Sequence, residues 1–416
     1  MDTSSKTQYK KIIASMITSD LGSEILTFAI GLLILNETES AFNFGLSQLI
    51  GPLISFILLP VKGAIIDKYN KKIVLTLSQI LSLVALVIFL FSIQESGLPS
   101  LIAVYSLLII LEISDQFYSV AVDSSIIALV DDTYIQKVKS VRQVFGALTM
   151  VFIPVISGIL TYAVPFEYLV YFAIIFEVLT IFIILGLDFN LYQTTETESQ
   201  EVEPRGLLTM FKVGLEYVAS YKKLLFALSF AMMINLLLGA INVGFPYVQV
   251  TELNFSNVTY GVSMGLTALG MIILGIFLSQ REDYEYPLLV AVKNFIYIGF
   301  VFIFLGLVLF LDLPHTVNVM SMFAISFSLG ALITRANVPG GSWMTKHIPN
   351  QYHGRVFSLM NTAGELLTPL GIFIFSILFD TVSSHWIYIS SGILIIVVIY
   401  LFLALSKIDL KDNALV

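Results

Sequence analysis

Residues 12–35 read IIASMITSDLGSEILTFAIGLLIL, and the only charges in the run are Asp20 and Glu24. As a helix it would be ~36 Å long at 1.5 Å per residue, enough to cross a hydrocarbon core of roughly 30 Å. It is too long for the apolar core of a cleavable signal, and no small-residue cleavage site follows it. It is therefore expected to stay as a first membrane helix. Eleven similar runs follow, giving expected spans at about 12–35, 44–61, 73–93, 100–124, 141–163, 166–187, 223–247, 258–279, 288–311, 316–337, 356–379 and 385–406. The breaks between them are polar or carry Pro and Gly, as in Gln94–Ser100 and Asp312–His315.

Composition agrees with these runs. The chain has 416 residues, 57% hydrophobic and 12% charged, with a mean hydropathy of +0.92. A soluble chain carries about 25% charged residues to face water, so the bilayer is the expected solvent. Cysteine is absent, which excludes disulfides and thiolate metal sites. None of the 21 Lys and Arg residues lies in an odd-numbered break. By the positive-inside rule both ends and the central loop face the cytoplasm. The expectation is a multi-pass protein of a cell membrane, bacterial in type.

Three segments are expected: an N-terminal six-helix half (1–187), a linker (188–222) and a C-terminal six-helix half (223–416). The linker starts polar and acidic. It then sets Leu207, Leu208, Phe211, Leu215 and Val218 at helical spacing, as for a short helix at the membrane interface.

Six plus six spans with a cytoplasmic linker resemble the major facilitator superfamily. The loop Gly63-Ala-Ile-Ile-Asp67-Lys-Tyr-Asn-Lys71-Lys72 is similar to its G-x-x-x-D-(R/K)-x-G-(R/K)-(R/K) signature, with Asn70 where Gly is usual. Gly354-Arg355-Val-Phe-Ser-Leu359 and Trp386-Ile-Tyr-Ile-Ser-Ser-Gly392 resemble macrolide-efflux-type drug exporters of that superfamily. The resemblance implies an all-α fold of twelve transmembrane helices in two halves. It also implies a cytoplasmic latch at Gly63, Asp67 and Lys71, with Lys72, Arg142 and Arg355 beside it. Physically, Gly63 would admit a neighbouring helix, Asp67 would suit a helix N-terminus, and the lysines could pair with acids of the other half. Gly146, Pro154 and Gly158 match part of the antiporter signature, with Ile153 in place of the usual glycine. A hinge or an ordinary kink would fit them equally.

The charges inside the membrane carry the functional reading. A mid-bilayer carboxylate costs roughly 2.5–3.5 kcal/mol on the insertion scale, so it marks a cavity or a function. Asp20 and Glu24 are four apart and share a helix face. Glu112 and Asp115 are central in span 4, and Asp123 lies eleven residues beyond Glu112, back on its face. Glu365 and Glu177 are further buried acids, and Glu177 reads more simply as locally paired. Asn235 and Asn242 lie seven apart on span 7 with Gly239 between them.

The resemblance places spans 1, 4, 7 and 10 around one cavity. An acidic cluster there can hold a proton or attract a cation, and their competition is a mechanism for antiport. Many exporters of the superfamily carry an arginine in span 4, where Glu112 stands here, so coupling would fall to the acids.

The expected function is proton-coupled export of lipophilic drugs, cationic ones among them, by alternating access, the chain acting as a monomer. Its partners would be the small-molecule substrate, protons and the bilayer, with no cofactor, metal or nucleic acid. A lipid or metabolite carrier of the same fold is the alternative. An intramembrane enzyme fits less well, because the four His sit in breaks or at helix ends and no D-x-x-x-D array occurs. ATP-driven transport would need a G-x-x-x-x-G-K-[ST] loop, which is absent.

Overall fold

In the computed structural model the described residues are 3–96, 99–189, 215–311, 313–406 and 408–412. The side chains of Asp67 and Glu365, and the expected linker positions Leu207, Leu208 and Phe211, lie outside them. Twelve long helices are found among the described residues. They are α1 (Thr3–Thr38), α2 (Ala41–Lys68), α3 (Lys71–Ser96), α4 (Leu101–Leu129), α5 (Asp132–Ala163), α6 (Phe166–Leu185) and α7 (Lys222–Asn242). Then come α8 (Asn257–Ser279), α9 (Pro287–Phe310), α10 (His315–His347), α11 (Asn350–Thr381) and α12 (Ser384–Ser406). A short turn at Gly244–Tyr247 and a π-helical turn at Val248–Glu252 prolong α7. Eleven helices are long and apolar enough to cross a membrane, and in α11 the apolar stretch is Leu366–Thr381. Of the linker, residues 215–219 are helical and Val218 is buried.

Capping, rather than hydropathy, sets where several helices begin. Asp131 caps α5 by accepting from Thr133 N (2.8 Å), and Ser100 caps α4 by accepting from Ala103 N (3.2 Å). Pro287 opens α9, where its missing N–H costs nothing. The expected start of span 5 at residue 141 is thus corrected to Asp132, which carries Arg142 well inside the helix instead of near its end. Side chains such as Phe56, Ile88, Ile102 and Phe182 are 61–79% exposed. So much open apolar surface needs lipid against it.

The chain divides into two units. Unit 1 comprises Met1–Thr38, Leu46–Thr197 and Ser256–Val262; unit 2 comprises Glu39–Gly45, Glu198–Phe255 and Ser263–Val416. Within unit 1, α1 packs on α5 and α6, and α3 on α4 and α6. Its core includes Ile12, Met16, Leu75, Tyr118 and Val122. The first turns of α8 lie against α5 so closely that a Cβ at Gly158 would collide with the Asn257 carbonyl, and one at Gly261 with that of Pro154.

Within unit 2, α7 packs on α11, and α9 packs on α10 and α12. A Cβ at Gly239 would collide with the backbone of Gly371, which fixes the α7–α11 crossing to glycine. The first turn of α2 also belongs to this unit. Asp380, at the end of α11, accepts from Ala41 N (2.7 Å), Phe42 N (3.1 Å) and Ser40 Oγ (2.7 Å). The carboxylate thus satisfies N–H groups that a helix start leaves unpaired.

Candidate functional site

In unit 1, the middle of α1 faces α4 across a cavity of about 150 Å³. Asp20, Ser23 and Glu24 reach it from α1, Asp115, Tyr118 and Ser119 from α4, and Arg142 from α5. Asp115 accepts a hydrogen bond from Ser23 Oγ at 2.8 Å. The wall is held by Ser114 Oγ donating to Ser78 O on α3 (2.9 Å) and by Thr18 and Thr180 hydroxyls 2.7 Å apart across α1 and α6. Arg142 binds Asp123 and donates to Ser119 Oγ (3.2 Å). Glu177, 4% exposed on α6, interacts electrostatically with Asp115.

Three of the expected acids, Asp20, Glu24 and Asp115, therefore line one cavity, and Glu112 does not. Glu112 Oε1 accepts from Gln116 Nε2 (2.8 Å), whose Oε1 accepts from Lys62 Nζ on α2 (2.8 Å). Glu112 Oε2 sits where a Cβ on Gly51 would be 3.3 Å away, so this glycine makes room for the carboxylate. Asp123 is exposed and turns to Arg142, so its expected sharing of a face with Glu112 does not become a shared set of partners.

Span 4 carries no basic residue, and cations reach its acids and those of α1 from other helices. Arg142 acts on Asp20 from α5, and Lys62 reaches the Glu112 group from α2. Arg142 stands at the edge of the apolar run because that run begins nine residues after the helix does. Lys62 was grouped with loop cations although it lies six residues before the end of α2.

The latch and kink residues are placed as follows. Lys71 Nζ donates to Ser124 O (2.7 Å), and Lys72 Nζ to Leu185 O (2.8 Å) and Leu187 O (2.9 Å). Both ammonium groups serve backbone carbonyls of their own unit. Lys72 and Lys11, which donates to Gly186 O (2.5 Å), together satisfy the C-terminus of α6. A Cβ at Gly63 or Gly146 would meet nothing within 4 Å, so the neighbouring helix expected at Gly63 makes no close approach there. Gly158 does make such an approach, at Asn257. Arg355 is half-buried in α11.

Unit 2 holds a larger cavity of about 430 Å³ between α7, α9, α10 and α11. Phe226, Phe230, Phe295 and Phe357 contribute rings, and Asn235 and Asn337 are its amide side chains. Asn235 donates to Ala231 O (2.8 Å) and accepts from Thr368 Oγ1 (3.3 Å). Asn242 ends α7, is exposed, and does not line the cavity.

The two cavities differ in what they can contain. At roughly 30 Å³ per water, the acidic one holds about five water-sized groups, while drug-sized ligands occupy ≈ 300–1,000 Å³. The acidic cavity is thus of a size for protons and water, and the aromatic one of a size for a small organic molecule. Among the described residues no cluster of His, Asp or Glu is arranged to hold a metal ion.

Comparison with known proteins agrees with this architecture. Residues 12–371 match the family described as Major Facilitator Superfamily. Macrolide efflux protein A of Streptococcus pyogenes is 23% identical over 98% of this chain and 98% of its own length. An uncharacterized MFS-type transporter of Bacillus subtilis is 22% identical over 98% of this chain and 94% of its own. The crystal structure of a bacterial homologue of the iron transporter ferroportin in an inward-facing state superposes with a TM-score of 0.69. That likeness, at 15% identity, covers 95% of this chain and 98% of the other.

Proposed function

The chain belongs to the Major Facilitator Superfamily, and within it we propose that this transporter exports lipophilic small molecules in exchange for protons. The observation that carries the reading is the acidic cavity, with Asp20, Glu24 and Asp115 gathered at one point by the middle turns of α1 and α4. A carboxylate in a low-dielectric site binds a proton with a large change in local charge, and that change is what a transport cycle needs to sense. Arg142 supplies the opposite charge, so loading a proton alters the α1–α4–α5 electrostatics without a metal or cofactor.

The cycle is alternating access. Residues 1–187 and 223–416 rock about a mid-membrane region, with 188–222 as the tether and the termini on the cytoplasmic side. Gly63, Asp67, Lys71, Lys72, Arg142 and Arg355 form the cytoplasmic latch in this scheme, and Gly146, Pro154 and Gly158 its bending point. Likeness to a macrolide efflux protein over nearly the full length supports export of lipophilic compounds.

The test is flux in proteoliposomes under an imposed pH gradient, with macrolides and lipophilic cations as substrates. Uptake that follows the gradient in the native chain and loses that dependence in Asp115→Asn supports proton coupling. Uptake indifferent to the gradient rejects it.

A further inference from the structure

We infer that the aromatic cavity of unit 2 is the binding site for an uncharged, aromatic lipophilic molecule with at least one hydrogen-bonding group. This names the substrate class of the proposed exporter and rests on that reading. Four observations converge on it. The volume, about 430 Å³, lies in the drug-sized range, whereas the acidic cavity's 150 Å³ does not. Among the described residues none that lines it is ionisable. A cation brought in would lose its hydration with no counter-charge to replace it, which selects against charge.

The rings are arranged to receive a third partner. Phe226 and Phe230 stack at 5.5 Å, and Phe230 meets Phe295 edge-on at 4.8 Å. Aromatic rings in stacked and edge-on geometry offer both their faces and their edges to a further ring. Asn235 supplies the polar handle. Its amide carries two N–H groups and one is used on Ala231 O, so the other can serve a ligand acceptor.

The fourth observation is Gly340–Gly341 in the interior of α10. Glycine is less favourable in a helix than alanine and is retained where backbone must approach something closely. Here nothing approaches. A Cβ at Gly341 would meet no atom within 4 Å, and one at Gly340 only Ala291 Cβ at 3.8 Å. Both glycines line the cavity, so the missing side chains leave open space where a ligand can lie.

The experiment is equilibrium binding to the purified full-length protein in lipid nanodiscs. The neutral fluorescent probe is N-phenyl-1-naphthylamine, and tetraphenylphosphonium is the permanent cation. Gly341→Phe fills the cavity and is expected to weaken the neutral probe by about tenfold or more. Phe230→Leu removes the stacking face and is expected to weaken it by roughly 2–10-fold. Gly275→Phe is the matched control, another helical glycine of unit 2 with open space around it but outside the cavity, and it is expected to bind as the native chain does.

Neutral-probe binding indifferent to both Gly341→Phe and Phe230→Leu overturns the proposal. So does tetraphenylphosphonium binding as tightly as the neutral probe and being lost in Gly341→Phe. Displacement of the probe by excess short-chain phospholipid, but not by an uncharged aromatic amide, overturns it in favour of a lipid seat. Flux in the same variants separates the two readings. Proton-driven export that persists in Gly341→Phe defeats the cavity and spares the coupling, while cavity-dependent binding without gradient-driven flux does the reverse.

Discussion

The acidic cavity of unit 1 and the aromatic cavity of unit 2 differ in both chemistry and size. One concentrates three carboxylates and an arginine in about 150 Å³; the other, among the described residues, has no ionisable lining side chain in about 430 Å³. A single site serving proton and drug would have to be large, polar and apolar at once. Separate sites let each be optimised, with charge kept where it is small and paired, and size kept where the walls are greasy.

The largest expected effect lies on the acidic side. Asp20→Asn combined with Asp115→Asn is expected to reduce gradient-driven flux to the passive leak, a loss of about a hundredfold, measured in proteoliposomes. If coupling survives both, the acids are structural and the contrast between the cavities collapses. The next effect sharpens the contrast by moving charge across it. Asn235→Asp places a carboxylate in the aromatic cavity and is expected to tighten tetraphenylphosphonium about tenfold, since a counter-charge then meets the cation. An unchanged preference for neutral probes would mean that shape alone selects.

Smaller effects concern the frame. Gly239→Leu forces a side chain into the backbone of Gly371, and such overpacking costs typically 1–3 kcal/mol. A lowered melting temperature is expected, with neutral-probe binding weakened because α7 and α11 both line the cavity. Least of all should follow from Asp123→Asn. Its ion pair with Arg142 has side chains 54% and 39% exposed, so it is worth about 0–1 kcal/mol. The melting temperature should barely move, and a large drop would show the pair to be more than a surface contact.

Sequence made the number of helices and the acids of the cavity legible, since a carboxylate in the middle of an apolar run can be recognised without a structure. It made the partners of those acids hard to read. Arg142 stands ahead of an apolar run, and only the cap at Asp131 shows that the helix already contains it. Lys62 looked like one of several loop cations, and its reach to Gln116 depends on how α2 and α4 cross. The glycines teach the same lesson. Gly63, Gly146, Gly158 and Gly341 are alike as letters, but only Gly158 is pressed by a neighbour's backbone, while the other three face open space. Whether a glycine is needed or merely tolerated depends on what lies opposite, and that is a tertiary fact.

The carboxylate of Asp380 at the start of α2 sets a clock for biogenesis. Its hydroxyl donor Ser40 stands 340 positions earlier in the chain. At 5–20 residues per second the ribosome needs roughly 20–70 s to travel that distance. Throughout that interval the N–H groups of Ala41 and Phe42 must be satisfied by water or by lipid headgroups. The second helix to be made is finished only when the eleventh arrives, so a chain truncated before residue 380 would carry an open end close to its beginning.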